Sequence, residues 1–221
     1  MRVAFLCDFD GTISPGDIGA ELVERFSPRP DPRHPVLLQA WREGRIGHRA
    51  VTEAECRPMR VTEAEALEFI RSFPLDPAFV PFVREAVARG DRVAVVSEGF
   101  GFYIRDRLGG AGLGDLPVAA NEMCFEPDGR VRLQFPFADP SCGRCGNCKA
   151  RHVRRERADG YRTVLVGDGL SDRCGARAAD VVFARAALLE WCRREGRLAH
   201  AFDSFADVAT AARNGIVAPA A

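Results

Sequence analysis

Two acidic clusters are the part of this sequence best equipped for chemistry. Asp8-Phe9-Asp10-Gly11-Thr12 follows the apolar run Arg2–Cys7, and Gly167-Asp168-Gly169-Leu170-Ser171-Asp172 closes the apolar run that begins at Arg162. Each apolar run reads as a strand, so each cluster falls at a strand end. Side chains two residues apart on a strand share a face, so Asp8 and Asp10 are expected to reach into one space, with Gly11 allowing a sharp turn beside them. In open α/β sheets ligands bind beyond the carboxyl ends of strands, where the two clusters can converge. Carboxylates gathered there repel one another unless a cation joins them, and an all-oxygen ligand set that retains waters suits Mg²⁺.

The elements that must position these clusters are legible as short runs. Arg2–Cys7, Arg92–Ser97, Arg162–Gly167 and Asp180–Phe183 have the continuous apolar character of strands buried on both faces of a parallel sheet. Helical segments between them predict an α/β domain with right-handed crossovers. The helix before the second strand is expected to be capped by Asp76, to carry Pro77 in its first turn and to end at Gly90. Its apolar face is Phe79, Phe82, Val83, Ala86 and Val87.

Between the first strand and this helix the sequence has amphipathic stretches over Asp17–Phe26, Val36–Glu43, Gly47–Cys56 and Thr62–Phe73, the last opening on a capping-box pattern at Thr62 and Glu65. Residues 15–75 are therefore expected to form a helical domain inserted into a core of residues 1–14 and 76–221, with the Pro-rich stretch Ser27–Pro35 as a loop. Around Pro127-Asp128-Gly129, Met123–Glu126 and Arg130–Phe135 predict a β-hairpin.

Composition narrows the partner. The 221 residues carry 31 basic and 31 acidic side chains, so net neutrality offers no general attraction to nucleic acid. No run free of Asp, Glu, Lys and Arg exceeds eight residues, short of the ~18–20 that cross a bilayer. The apolar start runs directly into acidic residues, which argues against a signal peptide. The expected partner is a small molecule, without membrane or nucleic acid, and nothing specifies an oligomer. Eight cysteines, three of them crowded at Cys142, Cys145 and Cys148, do not resemble an evenly spaced disulfide framework, so a reducing cytoplasm is expected. Of the 31 basic residues, 30 are arginine; the one lysine is Lys149.

Four separated motifs in order, namely Asp8-Phe9-Asp10-Gly11-Thr12, Ser97, Lys149 and Gly167–Asp172, resemble the haloacid dehalogenase superfamily. The resemblance implies a Rossmannoid parallel sheet with an inserted helical cap, and a phosphoric monoester hydrolase that works through an aspartyl-phosphate. It makes Asp8 the nucleophile and Asp10 the acid and base, and places Mg²⁺ on Asp8, the backbone carbonyl of Asp10 and Asp168, with Asp172 as ligand or support. Lys149, Ser97 and Thr12 would share the phosphoryl charge.

Within the superfamily, Asp8–Ser14, Ser97-Glu98-Gly99-Phe100 and Cys145-Gly146-Asn147-Cys148-Lys149 look most like the phosphoserine-phosphatase-like branch and its methionine-salvage members. That implies an enol-phosphate substrate, with phosphoserine, phosphocholine or phosphoethanolamine as alternatives. Relatives commonly have Ser-Gly-Gly where this chain has Ser97-Glu98-Gly99, so Glu98 is expected to turn away from phosphate or to read a substrate group. Asp17 and Glu21, spaced like one helix face, are candidate contacts to the leaving group.

Other readings stay open at this level. Cys142, Cys145 and Cys148 have a spacing that suits zinc, with Cys124 as a fourth ligand, or they form a loop that positions Lys149. Arg151, Arg154, Arg155 and Arg157 read as a solvated helix face or as an attractor of an anionic substrate. The four histidines suggest no ligand set. A phospho-ligand or zinc-binding regulatory protein without catalysis is the alternative of another class.

Overall fold

The computed structural model describes residues 2–29 and 31–217. The chain begins with β1 (Val3–Cys7) and continues through four helices, α1 (Ile18–Phe26), α2 (His34–Arg42), α3 (His48–Cys56) and α4 (Glu63–Ile70). It then enters α5 (Phe79–Ala88), β2 (Arg92–Phe100), α6 (Gly101–Gly110) and the hairpin β3 (Val118–Phe125) and β4 (Val131–Gln134). The last third alternates: α7 (Lys149–Ala158), β5 (Arg162–Gly167), α8 (Arg173–Ala178), β6 (Val181–Ala184), α9 (Ala186–Arg194), β7 (His200–Ala201) and α10 (Phe205–Arg213). A single 3₁₀ turn, Leu170–Asp172, separates β5 from α8. Among the described residues no helix is long and apolar enough to cross a membrane.

The strands form one sheet of order β4-β3-β2-β1-β5-β6-β7, parallel throughout except for the β3–β4 hairpin. Successive strands first build outward from β1 through β2 to β3, and the chain then crosses to β5 on the other side of β1. This reversal opens a crevice at the carboxyl ends of β1 and β5. The alternation of side chains divides the core between two faces. Val3, Phe5 and Cys7 share one cluster with Phe82 of α5, Tyr103 of α6 and Phe205 of α10. Leu6 and Leu165 point the other way, to Val153 of α7 and Leu188 of α9. On the first face Phe5 meets Phe82 edge-on, with centroids 5.1 Å apart, and each such fully buried side chain contributes ~1.5–3 kcal/mol.

The first cluster does not stop at the sheet. It continues through Phe9 and Ile13 into Ile18 and Leu22 of α1, Cys56 of α3 and Ala66 of α4. Within the insertion α2 packs on α3 and α1 on α4. The Thr62–Glu65 capping box forms as expected, and Asp17 caps α1 by accepting from the Ala20 amide.

Several boundaries differ from the sequence reading. The helix after the insertion starts at Phe79, with Ala78 as its cap residue, so Pro77 precedes its first turn. Asp76 instead accepts from the amides of Ala78, at 2.8 Å, and of Phe205, at 2.7 Å, tying α5 to the start of α10. Val87 is exposed rather than part of the apolar face, because α5 needs only a narrow stripe to cover the sheet. Pro35 lies in the first turn of α2, so the Pro-rich loop ends at Arg33; Pro30, within that loop, lies outside the described residues, as do Met1 and residues 218–221 at the ends of the expected core. The second strand runs on to Phe100, and the first arm of the hairpin begins at Val118.

Candidate active site

The strand β1 ends at Cys7, and Asp8 leaves it with a backbone hydrogen bond from its amide to the Val166 carbonyl of β5. One Asp8 oxygen accepts from the Phe9 amide at 2.8 Å; the other lies 2.7 Å from Lys149 Nζ. Lys149 is the first residue of α7, where a cation opposes the helix dipole. Two carboxylates offset that cost, because Nζ also lies 2.6 Å from Asp172 Oδ1. Burial works against the charge of Lys149, but Asp172 and Asp8 outweigh it and hold its pKa far above the ordinary lysine value.

Asp10 is held from the opposite face of the sheet. Its carboxylate accepts from the Ile18 amide, at 2.9 Å, and from the Tyr103 hydroxyl of α6. Asp8 and Asp10 therefore line one cleft, as expected, yet they are fixed by helices on different faces, because the chain has left the strand between them. Burial raises the Asp10 carboxyl well above its usual value, and the nearby Asp17 and Asp8 charges add to the rise against the pull of Tyr103 and Ile18. A carboxyl raised in this way favours its protonated form, which can hand a proton to a leaving group.

Asp168 and Asp172 come from the end of β5 and the turn after it. Thr12 Oγ1 donates to Asp168 at 3.0 Å, so the Thr12 hydroxyl is engaged with a carboxylate. Both oxygens of Asp172 are also engaged, one with Lys149 and the other with the amides of Asp168, at 3.2 Å, and Gly169, at 3.0 Å. Asp172 thereby fixes the lysine and the turn that carries Asp168. Burial, followed by the Asp8 charge, raises both carboxyls above the usual range.

Oxygens of Asp8, Asp168 and Asp172 lie within 4.8 Å of one another. This hard, all-oxygen set fits Mg²⁺, and the repulsion by Asp8, which adds to burial in raising the other two carboxyls, is what a cation there would relieve. Among the described residues it is the one group of three or more His, Cys, Asp or Glu gathered this closely. The zinc expectation at Cys142, Cys145 and Cys148 is corrected accordingly. Cys142 is exposed and Cys148 buried, no three cysteine sulfurs gather within metal-ligand reach among the described residues, and all eight cysteines are free thiols.

What this loop does is place Lys149. Asn147 is fully buried and its amide nitrogen donates to the carbonyls of Ser97, at 2.9 Å, and Ala119, at 2.8 Å. Its oxygen faces His152 Nε2 at 2.7 Å. Burial and the charges of Arg151 and Arg155 lower His152 to about 4, so the ring is neutral and Nε2–H donates to Asn147. Asn121 similarly donates to the Glu98 carbonyl at 2.6 Å. These amides replace ladder bonds lost where the register of β2 against β3 shifts between Val96 and Phe100.

That irregular end of β2 carries Ser97, Glu98 and Gly99. Ser97 is buried and its Oγ accepts from the Gly99 amide at 2.9 Å, which leaves its hydroxyl proton free to donate. A Cβ on Gly99 would collide with Tyr103 and Asp10, so only glycine lets α6 bring its tyrosine to the acid. Gly11, at φ +71°, likewise has no room for a Cβ beside Asp168. Glu98 turns towards the insertion, where Oε2 meets His48 Nδ1 at 3.0 Å.

The cleft has a volume of about 380 Å³. Its core side presents Asp8, Asp10, Ser97 and Asp168; its insertion side presents Asp17, Val23, Leu38, Trp41 and His48. Glu21 is exposed and does not line it, since the turn of α1 that brings Asp17 to the cleft carries Glu21 outward. Arg151, Arg154, Arg155 and Arg157 lie on the outer face of α7, and none lines the cleft.

Sequence reasoning missed four residues here: Tyr103, His48, Asn147 as a tether, and Arg185, which donates to the backbone carbonyls of Gly11 and Thr12 and so holds the first motif. Asn147 sits inside the Cys145–Lys149 motif and was within reach; the others come from distant segments without a local signal.

These elements, with an acidic crevice at the switch point and a lysine on the following helix, define a hydrolase of the haloacid dehalogenase type. A profile of the haloacid dehalogenase-like hydrolases matches residues 5–177, and the chain belongs to this family. The particular relatives are phosphatases. The chain is 32% identical over 216 residues to the 2-hydroxy-3-keto-5-methylthiopentenyl-1-phosphate phosphatase of Geobacillus kaustophilus, covering 94% of each chain. It is 28% identical over 215 residues to that of Brevibacillus brevis, covering 94% of this chain and 93% of the relative. A solved structure described as a phospho-aspartyl intermediate analogue of phosphoserine phosphatase shares the fold, with a TM-score of 0.70 at 18% identity, over 92% of this chain and 94% of that one. The protein is an enzyme of the phosphatase class.

Proposed function

We propose that this phosphatase is a Mg²⁺-dependent phosphomonoester hydrolase acting through an aspartyl-phosphate on Asp8, and that its substrate is the methionine-salvage enol-phosphate. The observation that carries the reaction is the convergence of Asp8, Asp10, Asp168 and Lys149 on one site, with Lys149 Nζ 2.7 Å from Asp8.

Asp8 attacks phosphorus while the Asp10 carboxyl, its proton favoured by burial, protonates the departing oxygen. The resulting Asp10 carboxylate then takes a proton from the water that cleaves the acyl phosphate and returns Asp8. Lys149 and the free hydroxyl proton of Ser97 balance negative charge on the transferring group. Asp8, the backbone carbonyl of Asp10 and Asp168 would hold Mg²⁺, which supplies charge neutralisation at the phosphoryl oxygens. Thr12 and Asp172 hold Asp168 and Lys149 in place.

We take residues 15–75 as a cap that closes on the core, excludes water and selects the leaving group. Val23, Leu38 and Trp41 give its side of the cleft an apolar wall, which suits a methylthio-bearing chain. Free thiols throughout suit the cytoplasm.

The test is phosphate release from a metabolite panel with Mg²⁺ and with chelator, the methionine-salvage enol-phosphate included, together with acid-quench trapping of phosphoprotein. Turnover in Mg²⁺ and a hydroxylamine-sensitive adduct are expected in the native enzyme, and Asp8→Asn should lose both while keeping its far-UV dichroism. Turnover near the native rate in Asp8→Asn would disprove the nucleophile.

A further inference from the structure

Glu98 is a carboxylate with half its hydrogen-bonding left over. Its side chain is 4% exposed, Oε2 is taken by His48, Oε1 is buried with no hydrogen bond closed on it, and the Cys145 thiol lies beside the carboxylate. The arrangement is built rather than loose. Asn121 fixes the Glu98 backbone from below. His48 is held above by stacking on Trp41, with ring centroids 4.6 Å apart, and Arg173 donates to the Trp41 carbonyl at 3.2 Å. Gly47, which caps α3 ahead of His48, has no room for a Cβ against the Arg144 backbone, so α3 starts in close contact with the cysteine-bearing loop.

Burial opposes charge on His48, yet the Glu98 carboxylate raises it above its ordinary value. Nδ1–H thus donates to Oε2, and Oε1 remains an acceptor in a cleft-lining side chain one residue beyond Ser97. A buried acceptor left unpaired is costly, and such groups mark places where something else completes the bond. The charges around it narrow what that is. Asp17 and Glu55 also line the cleft, and the cations that line it are His48, already paired, and Arg42 at the end of α2. A carboxylate on the leaving group would find its free cation, Arg42, only at the exposed rim, whereas a hydroxyl deeper in the cleft would find Oε1.

We propose that Glu98, oriented by His48, is the specificity-determining acceptor for a hydroxyl on the leaving group. The assignment rests on the phosphomonoesterase reading and adds to it a substrate class: phosphate esters of hydroxylated, uncharged carbon chains. It also accounts for a carboxylate so close to a phosphate site, since pairing with His48 turns Glu98 away from the phosphoryl position.

The experiment compares kcat/KM for the methionine-salvage enol-phosphate, which carries a hydroxyl, with that for n-pentyl phosphate, which carries no donor, in Mg²⁺. The native enzyme should prefer the first by ~10⁴–10⁵-fold, as expected of a site built to bond a substrate hydroxyl. Glu98→Ala should bring that ratio close to one, mainly through KM of the hydroxylated substrate. Glu98→Gln, which keeps the shape and some hydrogen-bonding capacity, should give an intermediate ratio, as should His48→Gln. An unchanged ratio in Glu98→Ala, or an equal loss on both substrates with a lowered melting temperature, would overturn the proposal. So would a native preference for phosphoethanolamine that Glu98→Ala abolishes, because the donor would then be an ammonium. Failure of the native enzyme to hydrolyse any ester of the set would instead remove the phosphomonoesterase reading, and this assignment with it.

Discussion

At the scale of single residues, the site depends on Lys149. A chain that uses 30 arginines keeps its one lysine where Nζ must sit within 2.7 Å of Asp8 and 2.6 Å of Asp172 in a space that leaves the residue 2% exposed. An ammonium is a compact charge with three donors; a guanidinium is a wide planar fork. Lys149→Arg should fold, with a cost of ~1–3 kcal/mol for overpacking, and should lose most of its turnover. A melting curve with a phosphate-release assay checks both parts, and near-native rates would mean that the lysine is an accident of composition. Tyr103 shows the opposite case, a residue whose importance depends wholly on what it touches.

At the scale of elements, the decisive feature is the departure of β2 from regular pairing. A continuous ladder to Phe100 would leave no place for the Asn121 and Asn147 amides. Those amides connect the end of β2 to the hairpin strand and to the loop before α7, so Ser97 and Lys149 share a common mount. Gly99 is the point of closest approach. In Gly99→Ala the added methyl must displace Tyr103 or Asp10, and misplacing a catalytic group by about 1 Å costs ~10²-fold. A fall of that order in kcat, with KM much less affected, is the expected result; an unchanged kcat would show that α6 has slack that the packing does not suggest.

At the scale of the whole molecule, electrostatics couples the site to stability. Folding buries Asp168 and Asp172 beside the Asp8 charge and pushes them up, to about 6 and about 8 respectively. Their folded-state values lie above the unfolded ones, so the stability they contribute is present below about pH 4 and is lost as the pH rises through the two folded values. Mg²⁺ held by Asp8 and Asp168 would compete with the Asp168 proton, so its affinity should rise as the pH passes through about 6. In thermal melts with and without Mg²⁺, the metal-induced rise in melting temperature should be much larger at pH 8.5 than at pH 5.5. An equal rise at both would argue against ligation by Asp168. The net neutrality of the chain thus hides a strongly acidic interior feature balanced by one lysine.

The sequence by itself determined the strands β1, β2 and β5 and the acidic motifs at the ends of two of them, because burial between two layers writes apolar runs and because a strand end positions the residues just beyond it. It brought Asp8, Asp10 and Asp168 together through their places at strand ends, and joined Lys149 to them only through the resemblance to the superfamily. It could not determine Tyr103, His48 or Arg185, whose contacts close over 93, 50 and 174 residues of chain. Nor could it tell that the three clustered cysteines fail to converge, since spacing fixes how far side chains can reach and only packing fixes where they point. The direction of Glu98 was likewise decided in three dimensions: alternation gave it a face, and the meeting of β2 with the first turn of α3 gave it a partner and left one oxygen free.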